Sequence, residues 1–151
     1  MAISVKPITL WRKELQDRPG ALADSLEPVA GVGLKVVMAY RYPGEPGKAA
    51  LELYPITGKR ATATADGSGL RPAAIPALLV EGDDAPGLGY RMSRAVADAG
   101  INLDFVMAQV IGRKYTAIFG FANQADATKA AGLIKKSTAR ARPAAARGKR
   151  R

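Results

Sequence analysis

Cysteine and histidine are both absent from this 151-residue chain, so neither a thiolate nor an imidazole is available for catalysis or metal ligation. No disulfide can form, and the usual nucleophile–base pairings lose their commonest members. No apolar run approaches the roughly 20 residues that span a bilayer. The stretch Met1 to Lys6 lacks the charged-then-apolar order of a signal peptide, so the expectation is a cytoplasmic protein with no membrane partner. Acidic residues are missing from Lys135 onward, where eight Lys and Arg gather. The rest of the chain, with 15 basic and 13 acidic residues, is close to neutral despite the overall charge of +10. Any nucleic-acid contact is therefore expected only through this C-terminal tail, by phosphate neutralisation and counterion release.

What the chain does contain is a hidden duplication. Asp17, Pro19, Gly20 and Gly33 recur as Asp84, Pro86, Gly87 and Gly100, each pair 67 positions apart. Val37-Met38-Ala39 recurs as Val106-Met107-Ala108, now 69 apart. The two-residue slip preserves strand parity, because side chains alternate faces with period 2. Two copies of one supersecondary unit account for both spacings.

Each copy reads as strand, helix, strand, strand. Val5 to Leu15 has strand alternation, with Pro7 suited to an edge or a strand start. Leu22, Leu26, Val29 and Ala30 form an apolar stripe at helical spacing after Gly20, and Pro28 should kink or end that helix. Leu34–Tyr42 and Lys48–Ile56 form a hairpin across a Pro-Gly turn, and Lys59–Asp66 is a short helix. In the second copy Ala77–Glu81 is a strand. Leu88, Met92, Ala95, Val96 and Ala99 share one face of a helix that Gly100 ends. Asn102–Ile111 and Tyr115–Phe121 pair across Gly112-Arg113, and Asn123 caps a last helix. Residues 1–75, 76–136 and 137–151 are then a first unit with its connector, a second unit, and a disordered basic tail. Leu34, Val36 and Met38, with Leu103, Phe105 and Met107, are assigned to the helix-covered face; the opposite set, Val37, Ala39, Val106 and Ala108, is left for a partner.

An Asp-x-Pro-Gly loop between a first strand and a helix, duplicated and closed by Gly33 or Gly100, resembles the ACT domain, a small ligand-sensing module of amino-acid pathway enzymes. The segment EGDDAPGLGYRMSRAVADAGINLDFVMAQ carries the likeness most fully, and the resemblance spans all but the tail. It implies an α+β fold of two ferredoxin-like (βαββ-type) ACT units in tandem, with an antiparallel sheet and helices on one face. The family's unit ends in a fourth strand that neither copy shows clearly, since Leu70–Ile75 is short and contains Pro72; six or seven strands are expected.

The two loops carry the candidate chemistry. Proline disfavours the helical region for the residue before it, which keeps Arg18 and Ala85 extended and sets Asp17 and Asp84 outside the ordinary N-cap position. Their carboxylates are then free for an ammonium group. Gly20 and Gly87 allow close approach to first-turn amides, which favour a carboxylate. The candidate ligand-binding residues are Asp17, Arg18, Pro19, Gly20 and Ala21, and Asp84, Ala85, Pro86, Gly87 and Leu88. In the family, ligands bridge the loop of one unit and the second strand of another, which adds Asn102 and Asp104.

Competing readings are weaker. An RNA-recognition sheet needs a glycine after the basic residue of its third strand, and Lys114-Tyr115-Thr116 lacks it. Glu81, Asp83 and Asp84 have no recognisable acid–base partner, Ser25, Ser68 and Ser93 have no evident base, and Gly87-x-Gly89 lacks the third glycine of a dinucleotide loop. The resulting expectation is a non-catalytic sensor without metal or cofactor. It binds a small amino acid at the interface between ACT units, acts as a homodimer through a sheet face or edge, and signals to a partner enzyme or regulator. The alternative is nucleic-acid or protein binding through the tail.

Overall fold

The computed structural model describes residues 3–139. Contacts divide it into two compact bodies: Thr9–Ala74, and the residues up to Ile8 together with those from Ile75 onward. The chain thus begins in one body, builds the other, and returns.

Thr9–Ala74 contains strand β2 (Trp11–Gln16), helix α1 (Ala21–Leu26), strands β3 (Val36–Arg41) and β4 (Lys48–Tyr54), helix α2 (Lys59–Gly67) and a two-residue strand β5 (Arg71–Pro72). The sheet order is β3-β4-β2-β5, with each neighbouring pair antiparallel. Pro28 ends α1 as expected: the α-helix stops at Leu26 and continues as a 3₁₀ turn over Glu27–Val29. Trp11, Leu51 and Leu53 pack beneath Val29 of that turn and Ala65 of α2 to make a small core.

In the second body, β1 (Ser4–Ile8) joins β6 (Ala77–Asp83), α3 (Leu88–Asp98), β7 (Leu103–Ile111), β8 (Lys114–Phe121) and α4 (Gln124–Ala139). The antiparallel order is β1-β6-β8-β7. Its core is larger: Leu78, Val80, Phe119 and Phe121 on the sheet meet Met92 and Val96 of α3 and Ala130 and Ile134 of α4. Gly100, at φ +74, ends α3 by donating to the Ala97 carbonyl at 2.9 Å. Among the described residues no helix is long and apolar enough to cross a membrane.

Several expectations are corrected here. The single strand read over Val5–Leu15 is two strands, β1 and β2, in different sheets, separated at Thr9-Leu10. Pro7 is tolerated because β1 lies at an edge, where a missing N–H costs no ladder bond. Each sheet has four strands, giving eight instead of six or seven: β5 completes one, and β1, drawn from the far end of the chain, completes the other. Residues 1–8, placed with the first unit by sequence, fall with the second as far as they are described. Helix α4 runs on to Ala139, so Ser137–Ala139 belong to it rather than to a tail; the remainder of the expected disordered tail lies outside the described residues.

Leu34 and Leu103 pack against the cores as assigned, but the faces of the repeated strand beyond them are reversed. Val37 and Ala39 pair with Leu53 and Leu51, and Val106 and Ala108 with Phe119 and Ala117, so they share the helix-side parity. Val36, Met38, Phe105 and Met107 face the other way. The cause in β7 is a register shift between Leu103 and Phe105, where Asp104 is an extra residue. Val37 and Val106 nevertheless remain exposed, because they sit on the edge strands β3 and β7. On the reverse face Ala77, Leu79 and Ile118 are buried.

Candidate functional site

The two Asp-x-Pro-Gly loops share their main backbone hydrogen bonds, and the first has one more, from the Arg18 amide to the Gln16 carbonyl at 3.0 Å. The Asp17 amide donates to the Gly47 carbonyl in the β3–β4 turn at 3.0 Å, and the Asp84 amide donates to Arg113 in the β7–β8 turn at 2.8 Å. Each loop is thereby anchored to the hairpin beside it. Ala21 N–H then reaches the Arg18 carbonyl at 3.3 Å, and Leu88 N–H reaches Ala85 at 3.2 Å. Gly20 and Gly87 are the N-cap residues, at φ 86 and φ 79, a left-handed conformation that side chains disfavour. No side chain caps either helix. Asp17 and Asp84 therefore stand outside the cap, as the proline-based argument predicts, and the amides at the second and third helical positions point out of the first turn.

Charge separates the loops. Asp17 is paired with Arg41 at 2.8 Å, and Arg18 with Asp24 at 3.2 Å. In the other loop Lys114 pairs with Asp83, and its hydrogen bond holds that carboxyl below the ordinary carboxylate range. Asp84 makes no ion pair among the described residues.

An arginine reaches back over each glycine, Arg18 in the first loop, already a candidate, and Arg91 in the second, which sequence reasoning missed. Arg91 Nη1 donates to the Pro86 carbonyl at 3.0 Å, and Arg18 Nη1 to Pro19 at 3.1 Å. A Cβ added at Gly87 would lie 3.3 Å from the Arg91 guanidinium, and Arg91 Nε is buried without a partner. The i, i+4 spacing of Gly87 and Arg91 on one helix face was the available signal.

The structure places Asp17 to Ala21 together and Asp84 to Leu88 together. Within its own unit it does not bring Asn102 or Asp104 to the loop. α3, 11 residues and about 16 Å long, lies between Gly87 and Asn102. Asn102 lines a shallow cavity of about 280 Å³ with Tyr90, Ser93, Arg94 and Leu103, beside the exposed edge strand β7. Asp104 is the exposed bulge residue.

A second cluster escaped the sequence altogether. Glu52 in the middle of β4 is fully buried, Tyr40 Oη donates to its Oε2 at 3.2 Å, and Oε1 has no partner. Arg12 lies opposite on β2, its guanidinium carbon 5.4 Å from the Tyr42 ring centre, with Nε buried and unpaired. Burial pushes the Glu52 carboxyl up, and burial followed by the charge of Glu52 pushes the Tyr40 phenol up. A lone carboxylate with a phenol and a guanidinium supplies no acid–base pair. No group of three or more candidate metal ligands occurs among the described residues.

No protein-family model matches the chain, and no curated protein matches it. Solved structures do. The regulatory subunit of aspartate kinase from Thermus thermophilus, in its ligand-free form, superposes with a TM-score of 0.60 at 15% identity, covering 95% of this chain and 98% of that one. The Thermus flavus regulatory subunit gives 0.52 at 17% identity, covering 93% and 97%. A Bacteroides thetaiotaomicron protein gives 0.69 at 11% identity, covering 89% and 90%. At such identities the likeness establishes the fold, which is ACT-like: α+β, with two ferredoxin-like units.

Proposed function

We propose that this chain is a non-catalytic regulatory protein that binds a small free amino acid at an Asp-x-Pro-Gly loop and passes the signal on through contacts with another copy or a partner. The observation that carries the reading is the duplicated loop geometry. An aspartate outside the cap and a left-handed glycine present one acceptor and two bare amides within a single turn. A zwitterion needs that combination, with the carboxylate for its ammonium and the first-turn amides for its carboxylate. The structural likeness to regulatory subunits of aspartate kinase supports a regulatory role over a catalytic one.

Ligands of this kind act when they bind one arrangement of paired units better than another. The contact we assign to pairing is the edge of β7, nine residues long, where Val106, Val110 and Ile111 are exposed. Across such an edge Asn102 and Asp104 of one copy would approach the loop of the next. Light scattering should give twice the chain mass at micromolar concentration, and a monomer mass would remove this contact.

A thermal-shift screen of the twenty standard amino acids tests the reading. Stabilisation by one or a few of them supports the sensor. Eight basic residues from Lys135 onward favour a second reading, polyanion binding through the tail. Tight heparin retention that disappears on deletion of residues 140–151, with no amino acid stabilising the protein, would favour it.

A further inference from the structure

The duplicated loops share a backbone but differ in the side chains beneath them. In the sheet ladders Leu15 lies opposite Ala49, and Gly82, 67 positions after Leu15, lies opposite Tyr115. Ala49 and Tyr115 are therefore equivalent positions. Two residues past the N-cap glycines, Leu22 of the first unit corresponds to Gly89 of the second. Where one unit has Ala49 and Leu22, the other has a phenol and a glycine beside it.

Tyr115 is 8% exposed and belongs to the same core cluster as Leu88 and Met92. Its hydroxyl reaches the first turn of α3, where a Cβ added at Gly89 would sit 3.4 Å from the oxygen. That hydroxyl has no hydrogen-bond partner among the described residues. The ring is buried while the oxygen at its tip is not among the sealed, unpaired polar atoms, so the hydroxyl is reachable from outside and free to donate. Burial, and then the charge of Asp84, push its pKa up, so the group stays a protonated donor at neutral pH. The carboxylates differ as well: Arg41 occupies Asp17, whereas Lys114 takes Asp83 and leaves Asp84 without an ion pair among the described residues.

We infer that the two copies have divided the work, with the loop of the second unit recognising the ligand and the Tyr115 hydroxyl donating to the ligand's α-carboxylate. Asp84 receives the ammonium group, the first-turn amides of α3 share the carboxylate with Tyr115, and Gly89 keeps the approach to the phenol open. The first loop, whose Asp17 is already paired with Arg41 and which carries Leu22 where the second has Gly89, is structural. The inference rests on the amino-acid-binding reading above and adds which loop binds and through which donor.

The test is a calorimetric titration of the full chain with the amino acid that stabilises it most in the thermal screen. Tyr115→Phe removes one oxygen that pairs with nothing in the free protein, so the ligand-free melting temperature should hold. Loss of a hydrogen bond to a charged group should raise Kd about tenfold or more. Gly89→Ala places a methyl group in ordinary contact with that oxygen and improves helix propensity, so it should also weaken binding without loss of stability. Asp17→Asn should leave Kd within about twofold, since its carboxylate is already paired. A Tyr115→Phe protein that binds like wild type, or an Asp17→Asn protein that alone loses binding, overturns this inference and leaves the sensor reading standing. If no amino acid binds the wild-type chain, both fall.

Discussion

Replacing Gly120 by alanine puts a methyl carbon where the ring of Phe105 already lies. An ideal Cβ at Gly120 would stand 2.2 Å, 2.5 Å and 2.8 Å from three ring carbons of Phe105, its cross-strand neighbour on β7. Carbon atoms in contact rest at about 3.5–4.0 Å, so the ring has to move by about an ångström or more. The register shift at Asp104 holds Phe105 in place, and Gly120 is itself buried. Overpacking of this kind costs about 1–3 kcal/mol, which at about 4 °C or more per kcal/mol in a unit this small lowers the melting temperature by at least several degrees. The decisive assay is a double-mutant cycle by urea denaturation. In a Phe105→Ala background the same Gly120→Ala change should cost less than about 0.5 kcal/mol, because the overlapping ring is gone. A Gly120→Ala protein as stable as wild type, or an equal loss in both backgrounds, would refute the close packing of ring on glycine.

Glu52 gives a pH signature. Its raised pKa means that the folded chain keeps the proton in a window above 4.5 where the unfolded chain has lost it, so folded stability falls as pH rises through that window. Glu52→Gln, uncharged throughout and still able to accept from Tyr40, should gain on wild type between about pH 4 and about pH 8 in urea titrations. A variant less stable than wild type by more than about 1 kcal/mol at the upper pH would mean that the ionised carboxylate is net stabilising. Asn123 caps α4 by accepting the Asp126 amide at 2.8 Å, and Asn123→Ala should cost about 1 kcal/mol; an unchanged denaturation midpoint would remove the cap from the account.

Local signals in the chain carried far. Pro28 marks the end of α1, Gly100 the end of α3 and Asn123 the start of α4, because each acts on backbone within a few residues of itself. The Asp-x-Pro-Gly repeat located both loops for the same reason. Long-range pairing left no such trace. Val5 to Leu15 reads as one extended run, with Ile8 and Leu10 on one face and Trp11 on the other, and a pattern this short does not tell where a strand leaves one sheet for another, so the escape of β1 to pair with β6 was invisible. β5 is two residues long and contains a proline, too little for a pattern to register. A single extra residue at Asp104 reversed the face of everything after it in β7. Glu52 breaks the rule that charge marks the solvent face, and Arg12, which offsets part of its cost, is adjacent only through the ladder. Around the loop, Tyr115 read as an ordinary strand aromatic, since only the fold brings its hydroxyl under Gly89.

The most direct trial of the whole proposal is the heat released when the best-stabilising amino acid is titrated into Asp84→Ala beside the wild-type chain. Saturable binding to wild type that vanishes in the variant, with an unchanged fold by circular dichroism, is the predicted result. Equal binding isotherms from the two proteins would contradict it, because the ammonium would then be held without the carboxylate on which the proposal depends.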